Sequence, residues 1–203
     1  MKKHIFTANI FLILLLVSSF KPNINSELEI GKPIPLAKNK LLDISGKEVS
    51  LNDVRGEKGL LVIFSCNTCP YVKLSESRIL ASADMARKNK IGIILINSNE
   101  AQRNEDDSYE EMKKYAISQN YTFHYVLDKN SIIADAFGAT RTPHCFLFDK
   151  SGLVYRGAID DNIKDATDAK EHYLFEAMNA VGMGKKIMTN STKSIGCSIK
   201  RLE

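Results

Sequence analysis

"GLLVIFSCNTCPYVK", residues 59 to 73, is the stretch that decides the fold of this chain. Its first seven residues, 59–65, are apolar and rich in β-branched side chains, as expected of a central strand that is covered on both faces. Cys66 and Cys69 follow directly, and apolar residues then recur at helical spacing over residues 70–89. The stretch therefore predicts a buried strand, a cysteine pair and a long amphipathic helix, in that order.

The cysteine pair sits where thiol chemistry is favoured. Unpaired N–H groups and the helix dipole stabilise a thiolate at a helix N-terminus. We expect Cys66 to take that position as an exposed, acidic nucleophile, and Cys69 to lie one turn further in, as a shielded and less acidic resolving thiol within disulfide reach. With Cys66 at the cap, Pro70 would be the fourth helical residue, where its missing N–H disturbs the helix little. The pattern favours a redox dithiol.

Two other interpretations of the pair stay open. The first is a structural disulfide, although four cysteines in 203 residues are too few for a disulfide-built mini-protein. The second is a metal site formed by Cys66, Cys69 and His144, although zinc usually takes four ligands and the chain has a single CxxC motif. Neither interpretation needs the strand and helix that flank the pair.

Strands and helices alternate along the rest of the domain. The predicted strands are a hairpin within residues 41–54, single strands at 91–97 and 123–128, and a hairpin over 144–159, and the predicted helices are 109–119, 131–138 and 167–181. This order predicts an α/β fold with a mixed central sheet, helices on both faces and an N-terminal hairpin extension.

The N-terminus has the layout of a secretory signal peptide over residues 1–19, with two lysines before an apolar stretch. The alternative is an uncleaved membrane anchor, although a membrane-spanning helix needs about 20 apolar residues and this stretch is shorter. A linker at 20–29, a domain at 30–182 and a flexible basic tail at 183–203 complete the predicted organisation. We expect a secreted or periplasmic protein that meets a membrane only if the signal stays uncleaved.

Charge excludes one class of partner. A formal net charge of +4 is too small to indicate a nucleic-acid-binding surface, so we expect no nucleic acid to bind. Acidic residues gather over 105–111 and basic residues over 185–201, and both groups are interpreted as solvated surface.

A second element lies at "TRTPHCF", residues 140–146. Thr142 and Pro143 enter a predicted strand, where the proline indicates either a cis peptide bond or an edge strand. Arg141 is a candidate for stabilising a thiolate or an anionic substrate, against the alternative of a solvated loop arginine.

The remaining cysteines differ in their setting. Cys145 lies in an apolar strand, where a small buried side chain is the simplest interpretation. Cys197 lies in the tail and has two possible partners. It could act as a third redox thiol with Cys66 or Cys69, or it could form a structural disulfide with Cys145.

Together, the CxxC after a central strand and the distant Thr-Pro loop resemble thioredoxin-fold proteins. Four blocks, at 66–73, 142–143, 155–162 and 196–200, resemble the AhpC/TSA peroxiredoxin-like group of redoxins over about residues 30–201. They read "CNTCPYVK", "TP", "YRGAIDDN" and "GCSIK". The resemblance implies a three-layer thioredoxin-like fold.

The resemblance also implies an activity, thiol-disulfide exchange in envelope redox homeostasis without a cofactor. Cys66 would attack a protein or small-molecule disulfide, Cys69 would resolve the mixed disulfide, Thr142 would offer its backbone to the substrate and Pro143 would cover the sulfurs. An envelope electron donor would supply the electrons for reduction. The alternatives are a peroxiredoxin-like thiol peroxidase and a copper-binding chaperone of the same fold.

One departure bears on the peroxidase alternative. Peroxidatic sites place a proline and a threonine or serine seven and three residues before the cysteine. Counted from Cys66, these positions hold Gly59 and Ile63. Counted from Cys69, they hold Val62 and Cys66. Efficient peroxide reduction is therefore not expected.

Overall fold

The computed structural model describes residues 26–202, so the predicted signal peptide and most of the predicted linker lie outside the described residues. A seven-stranded sheet runs through the centre in the order β2-β1-β5-β4-β3-β7-β8. The strands are β1 Leu41–Asp43, β2 Glu48–Val49, β3 Gly59–Ser65, β4 Ile91–Asn97, β5 His124–Leu127, β7 His144–Phe148 and β8 Leu153–Gly157. A separate two-stranded ladder joins β6 Arg141–Thr142 to β9 Cys197–Ser198.

The sheet is mixed, as predicted. Strand β3 pairs parallel with β4, and β4 pairs parallel with β5, whereas β3–β7, β7–β8, β1–β5 and β1–β2 are antiparallel. The helices are α1 Leu51–Val54, α2 Pro70–Lys88, α3 Tyr109–Ser118, α4 Ile132–Phe137 and α5 Tyr173–Met183. In the described part of the chain, no helix is long and apolar enough to span a bilayer.

Alternation along β3 separates two hydrophobic cores, because successive side chains of a strand point to opposite faces. Leu61 and Ile63 face α2, α3 and α5. Phe64 and its neighbours on the other face pack against α1 and α4. Phe64 meets Phe137 and Phe146 edge to face, with ring centroids 5.4 and 5.7 Å away. The helices thus cover both faces, which confirms the predicted three-layer arrangement.

A buried ion pair ties the helix after the cysteines to the "YRGAIDDN" block. Arg78 of α2 donates through Nη1 to both carboxylate oxygens of Asp160, at 2.9 and 2.7 Å. Its guanidinium also donates to the carbonyl oxygens of Leu74, Asn162 and Ile163. The side chains of the ion pair are only 7% and 2% exposed, so α2 is fixed by charges that water does not reach.

Two predicted features differ from the structure. Helix α5 begins at Tyr173 instead of residue 167, because side chains before it bind backbone N–H groups that a helix would use. Asp161 accepts from the Lys170 amide at 2.9 Å, an N–H that a helix starting at residue 167 would use. Just before it, Asn162 accepts from the amides of Lys164 and Asp165, and Asp165 accepts from that of Thr167. These local bonds hold the segment as turns.

The second difference is the tail, which packs along the domain. Near residue 191 it runs beside the outer edge of β8, where the Arg156 amide donates to the Asn190 carbonyl and the Thr192 amide donates to the Arg156 carbonyl, at 3.1 and 3.0 Å. Further on, Ser194 and Ile199 are buried. The predicted free, flexible tail is therefore wrong for this segment.

Candidate thiol redox site

The cysteine pair lies at the junction of β3 and α2, but the helix begins later than the sequence indicates. Strand β3 ends at Ser65, and the N-cap of α2 is Cys69, with Pro70 as the first helical residue. Cys66 therefore stands before the helix in the connecting turn. The predicted exposure of Cys66 is also wrong, because Cys66 and Cys69 are only 1% and 2% exposed.

The Thr142–Pro143 loop lies against both sulfurs. Its peptide bond is cis, which confirms the first of the two predicted alternatives for this proline. The Cys66 Sγ is 3.4 Å from the Thr142 hydroxyl oxygen. When protonated, the Cys69 thiol donates to the Thr142 carbonyl oxygen at 3.1 Å. The structure thus brings together the cysteine pair and the loop that the sequence singled out.

The two thiols have opposite acidities. The pKa of Cys69 is lowered to about 4, first because the Cys66 thiol donates a hydrogen bond to it, with further donation from the Cys197 thiol and the amides of Cys197 and Val72. The pKa of Cys66 is raised by that same hydrogen bond, by burial and by the nearby Asp107 carboxylate. These donors favour the thiolate on Cys69, whereas the sequence places the more acidic thiol at Cys66, and the nucleophilic role of Cys66 stays a prediction.

A pH titration of the thiolate tests this order. Because the pKa of Cys69 is depressed, its thiolate is present at neutral pH and is lost as the pH falls through about 4. We expect the ultraviolet absorbance of the thiolate to show a step there in the wild type and no such step in Cys69→Ser. If the first thiolate forms only at about pH 8.5, the pKa of a free cysteine, the lowered pKa of Cys69 would be contradicted.

A buried carboxylate shapes the turn that carries Cys66. Asp107, predicted to be solvated, is fully buried. It accepts from the backbone amide of Asn67 and from the side-chain amides of Asn97 and Asn99, each at 2.8 Å. Tyr125 donates from its hydroxyl to the Asn67 side chain at 2.9 Å. The sequence missed this network, since its members come from four separate segments.

Three other residues that the sequence singled out lie elsewhere. His144 is buried on the face of β7 that carries Phe146, with the rings 4.4 Å apart, and burial followed by the charge of Arg156 lowers its pKa to about 3. Arg141 donates to the Gly196 carbonyl at 3.0 Å, within the tail. Cys145 is fully buried in β7 opposite Ile63, which confirms its prediction as a small core residue.

The metal alternative is not supported by this placement. Cys66 and Cys69 belong to the core that β3 shares with α2, whereas His144 points to the opposite face of the sheet. Over residues 26–202, no three His, Cys, Asp or Glu side chains form a group that could hold a metal ion. The structure does not bring the three proposed ligands together.

The third cysteine of the site is Cys197. Its thiol and its backbone amide both reach the Cys69 sulfur, so Cys69 lies between the other two thiols. Burial, together with the contact to Cys69, raises the pKa of Cys197 to about 11. All four cysteines are free thiols in the structure.

Comparison with known proteins agrees with this geometry. The sequence profile of the AhpC/TSA family matches residues 30–156. The chain belongs to the AhpC/TSA family. Among its relatives is the thiol-disulfide oxidoreductase ResA of Geobacillus thermodenitrificans, with 27% identity over 132 residues, covering 65% of this chain and 70% of ResA. Such relatives support a redox function for this AhpC/TSA member.

Solved structures extend the likeness to most of the chain. A hypothetical protein from Sinorhizobium meliloti 1021, SMc02350, has a TM-score of 0.79 and 31% identity, covering 87% of this chain and 97% of its own. The thioredoxin domain of the thiol-disulfide oxidoreductase BVU-2223 from Bacteroides vulgatus has a TM-score of 0.55 and 21% identity, covering 70% and 92%. The second likeness concerns the fold alone, and it establishes the thioredoxin-like architecture of this AhpC/TSA protein.

Proposed function

We propose that this AhpC/TSA family member is a thiol-disulfide oxidoreductase of the cell envelope that uses Cys66 and Cys69. The observation that carries the proposal is the placement of both sulfurs against the Thr142–Pro143 loop, with the Cys66 Sγ 3.4 Å from the Thr142 hydroxyl oxygen and the Cys69 Sγ 3.1 Å from the Thr142 carbonyl oxygen. Two thiols so placed can exchange between dithiol and disulfide without a cofactor. The signal-like N-terminus supports the envelope location.

The hydrogen-bond donors around Cys69 favour it as the attacking thiol, with Cys66 as the resolving thiol. Cys69, the thiolate, attacks one sulfur of a substrate disulfide, and the first substrate thiolate leaves. Cys66 then loses its proton to the medium and attacks the Cys69 sulfur. The second substrate thiolate leaves, and each departing thiolate takes up a proton. The substrate gains two electrons and two protons, and the protein keeps a Cys66–Cys69 disulfide.

Two kinds of partner complete the cycle. A protein or small-molecule disulfide is the substrate, and an envelope dithiol returns electrons to the Cys66–Cys69 disulfide. The direction of exchange depends on the reduction potential of this couple relative to the couples of its partners. A measurement of that potential against a glutathione buffer fixes whether the protein reduces or oxidises its substrates.

Trapping a mixed disulfide tests the assignment of the two thiols. In the double variant Cys66→Ser, Cys197→Ser the attacking Cys69 thiolate remains and both neighbouring thiols that could displace a bound substrate are absent, so we expect a long-lived adduct with an aromatic disulfide reagent or with insulin. Cys69→Ser should give far less adduct. Mass spectrometry of the intact protein, with the labelled cysteine located by peptide mapping, measures both variants.

The opposite pattern, with a stable adduct on Cys66 in Cys69→Ser, would return the nucleophile to Cys66 as the sequence predicted. If neither variant forms an adduct and the wild type reduces no disulfide, the proposed function is wrong. Cys145→Ala is the matched control, because Cys145 is buried in β7 opposite Ile63, whereas both sulfurs of the pair lie against Thr142. It should react like the wild type.

A further inference from the structure

The tail occupies the backbone edge that the sequence assigned to a substrate. Strand β9 pairs antiparallel with β6, with Thr142 opposite Cys197 and Arg141 opposite Ser198. An extended peptide that docks on a strand edge uses the same backbone groups. While β9 is in place, a substrate strand cannot pair with Thr142.

The tail is held on both sides of Cys197. Before it, Arg141 donates to the Gly196 carbonyl, and a Cβ on Gly196 would lie 2.1 Å from the Thr142 carbonyl oxygen. After it, the Ile199 amide donates to the Thr140 carbonyl and the Lys200 amide to the Asn99 side chain, at 3.0 and 2.9 Å. These contacts on both sides hold the backbone at Cys197 in one position beside Thr142.

The three thiols differ in their access to solvent. Cys66 and Cys69 are almost fully buried beneath the loop and the tail, whereas Cys197 is partly exposed. Cys69 and Cys197 meet at Thr142: the Cys69 thiol lies 3.1 Å from the Thr142 carbonyl oxygen, and Cys197 faces Thr142 across the β6–β9 ladder. An outside thiol therefore meets Cys197 before it can meet the buried pair.

We propose that Cys197 is a third redox thiol, through which the buried pair exchanges electrons with an outside dithiol. This inference rests on the proposed function of Cys66 and Cys69. Cys197 releases its proton to the medium and its thiolate attacks the Cys69 sulfur of the Cys66–Cys69 disulfide, a Cys69–Cys197 disulfide forms, and Cys66 leaves as a thiolate that takes up a proton. No electrons are gained or lost in this step.

The outside dithiol then acts on the exposed disulfide. Its first thiolate attacks the Cys197 sulfur, Cys69 leaves as a thiolate, and a mixed disulfide forms on Cys197. The second thiol of the donor loses its proton and attacks its own bound sulfur, which releases Cys197. Two electrons pass from the donor to the protein, the donor becomes a disulfide, and all three cysteines are reduced.

Disulfide mapping of the oxidised full-length protein tests the first step. After reduction and then oxidation with diamide, we expect Cys66→Ser to give a peptide linking Cys69 to Cys197, and Cys197→Ser to give one linking Cys66 to Cys69. A free Cys197 in Cys66→Ser, or a link from Cys197 to Cys145, overturns the inference while leaving the proposed function intact. Failure of Cys197→Ser to form the Cys66–Cys69 disulfide overturns the proposed function itself.

The rate of reduction by dithiothreitol tests the second step. A neighbouring thiol acts at a high effective concentration, so oxidised Cys197→Ser should be reduced at least about tenfold more slowly than the wild type. Adding Gly196→Ala to Cys197→Ser should restore part of the rate, because the added Cβ meets the Thr142 carbonyl and displaces the tail. Equal rates for Cys197→Ser and the wild type would mean that the dithiol reaches the buried pair directly, and the inference would be wrong.

Discussion

Replacing Cys69 by serine is expected to lower the rate of thiol-disulfide exchange by about a thousandfold or more, as removal of a nucleophile does in other enzymes. Donated hydrogen bonds, first that of the Cys66 thiol, lower the pKa of Cys69. Its sulfur also lies 3.1 Å from the Thr142 carbonyl oxygen, and Thr142 faces Cys197 across the β6–β9 ladder. A hydroxyl at this position is neither ionised at neutral pH nor able to form a disulfide, so both halves of the cycle stop.

The measurement is insulin reduction with dithiothreitol as the electron source, in the wild type, Cys69→Ser and Cys66→Ser. Cys145→Ala serves as the control, since it removes a buried thiol that belongs to the β7 core. Its rate should stay within about twofold of the wild type, the spread expected of a core change that leaves the reacting groups intact. Residual activity in Cys69→Ser equal to that of the wild type would remove Cys69 from the chemistry.

Replacing Arg78 by methionine is expected to lower the free energy of unfolding by about 3–5 kcal/mol. Methionine keeps much of the side-chain length, but it leaves the Asp160 carboxylate without its cation in a place that water does not reach. Three carbonyl oxygens that the guanidinium satisfies also lose their donor. Because the cost comes from an uncompensated buried charge, it should exceed that of most single substitutions.

Helix α2 also provides the matched control. Arg87 pairs with Asp84 at 3.1 Å, but their side chains are 70% and 75% exposed. Arg87→Met should therefore change the free energy of unfolding by no more than about 1 kcal/mol. The double variant Arg78→Met, Asp160→Leu should recover part of the loss, because both charges are then absent. Urea denaturation measures all three, and a loss below about 1 kcal/mol in Arg78→Met would contradict the argument.

The elements that were predicted correctly have strong local signals. The apolar run of β3, the alternation around it and the hairpin that turns between Asp149 and Gly152 each depend on residues close together in the chain. The cysteine pair and the Thr-Pro loop were found because few other functions explain those residues in that context. Local patterns of this kind determine the layers of the fold and the main parts of the site.

The features that were missed depend on distant contacts. Sequence spacing places the helix N-terminus at Cys66, but Cys69 is extended, as a residue before proline tends to be. In the turn before it, the Asp107 carboxylate binds the Asn67 amide across 40 residues of chain. The helix then starts at Pro70, and Cys66 stands before its N-terminus. In the same way, a two-residue strand at Cys197 gives almost no sequence signal, although it pairs with Thr142 in the folded chain.

The tail segment beside β8 protects the sheet against aggregation at high protein concentration. A strand with an open hydrogen-bonding edge can pair with another copy of the same sheet, which leads to aggregation. Here the backbone of Arg156 binds Asn190 and Thr192 instead, and the opposite end of the sheet is the two-residue strand β2. One edge is covered and the other is short, so the seven-stranded sheet offers little template for uncontrolled growth.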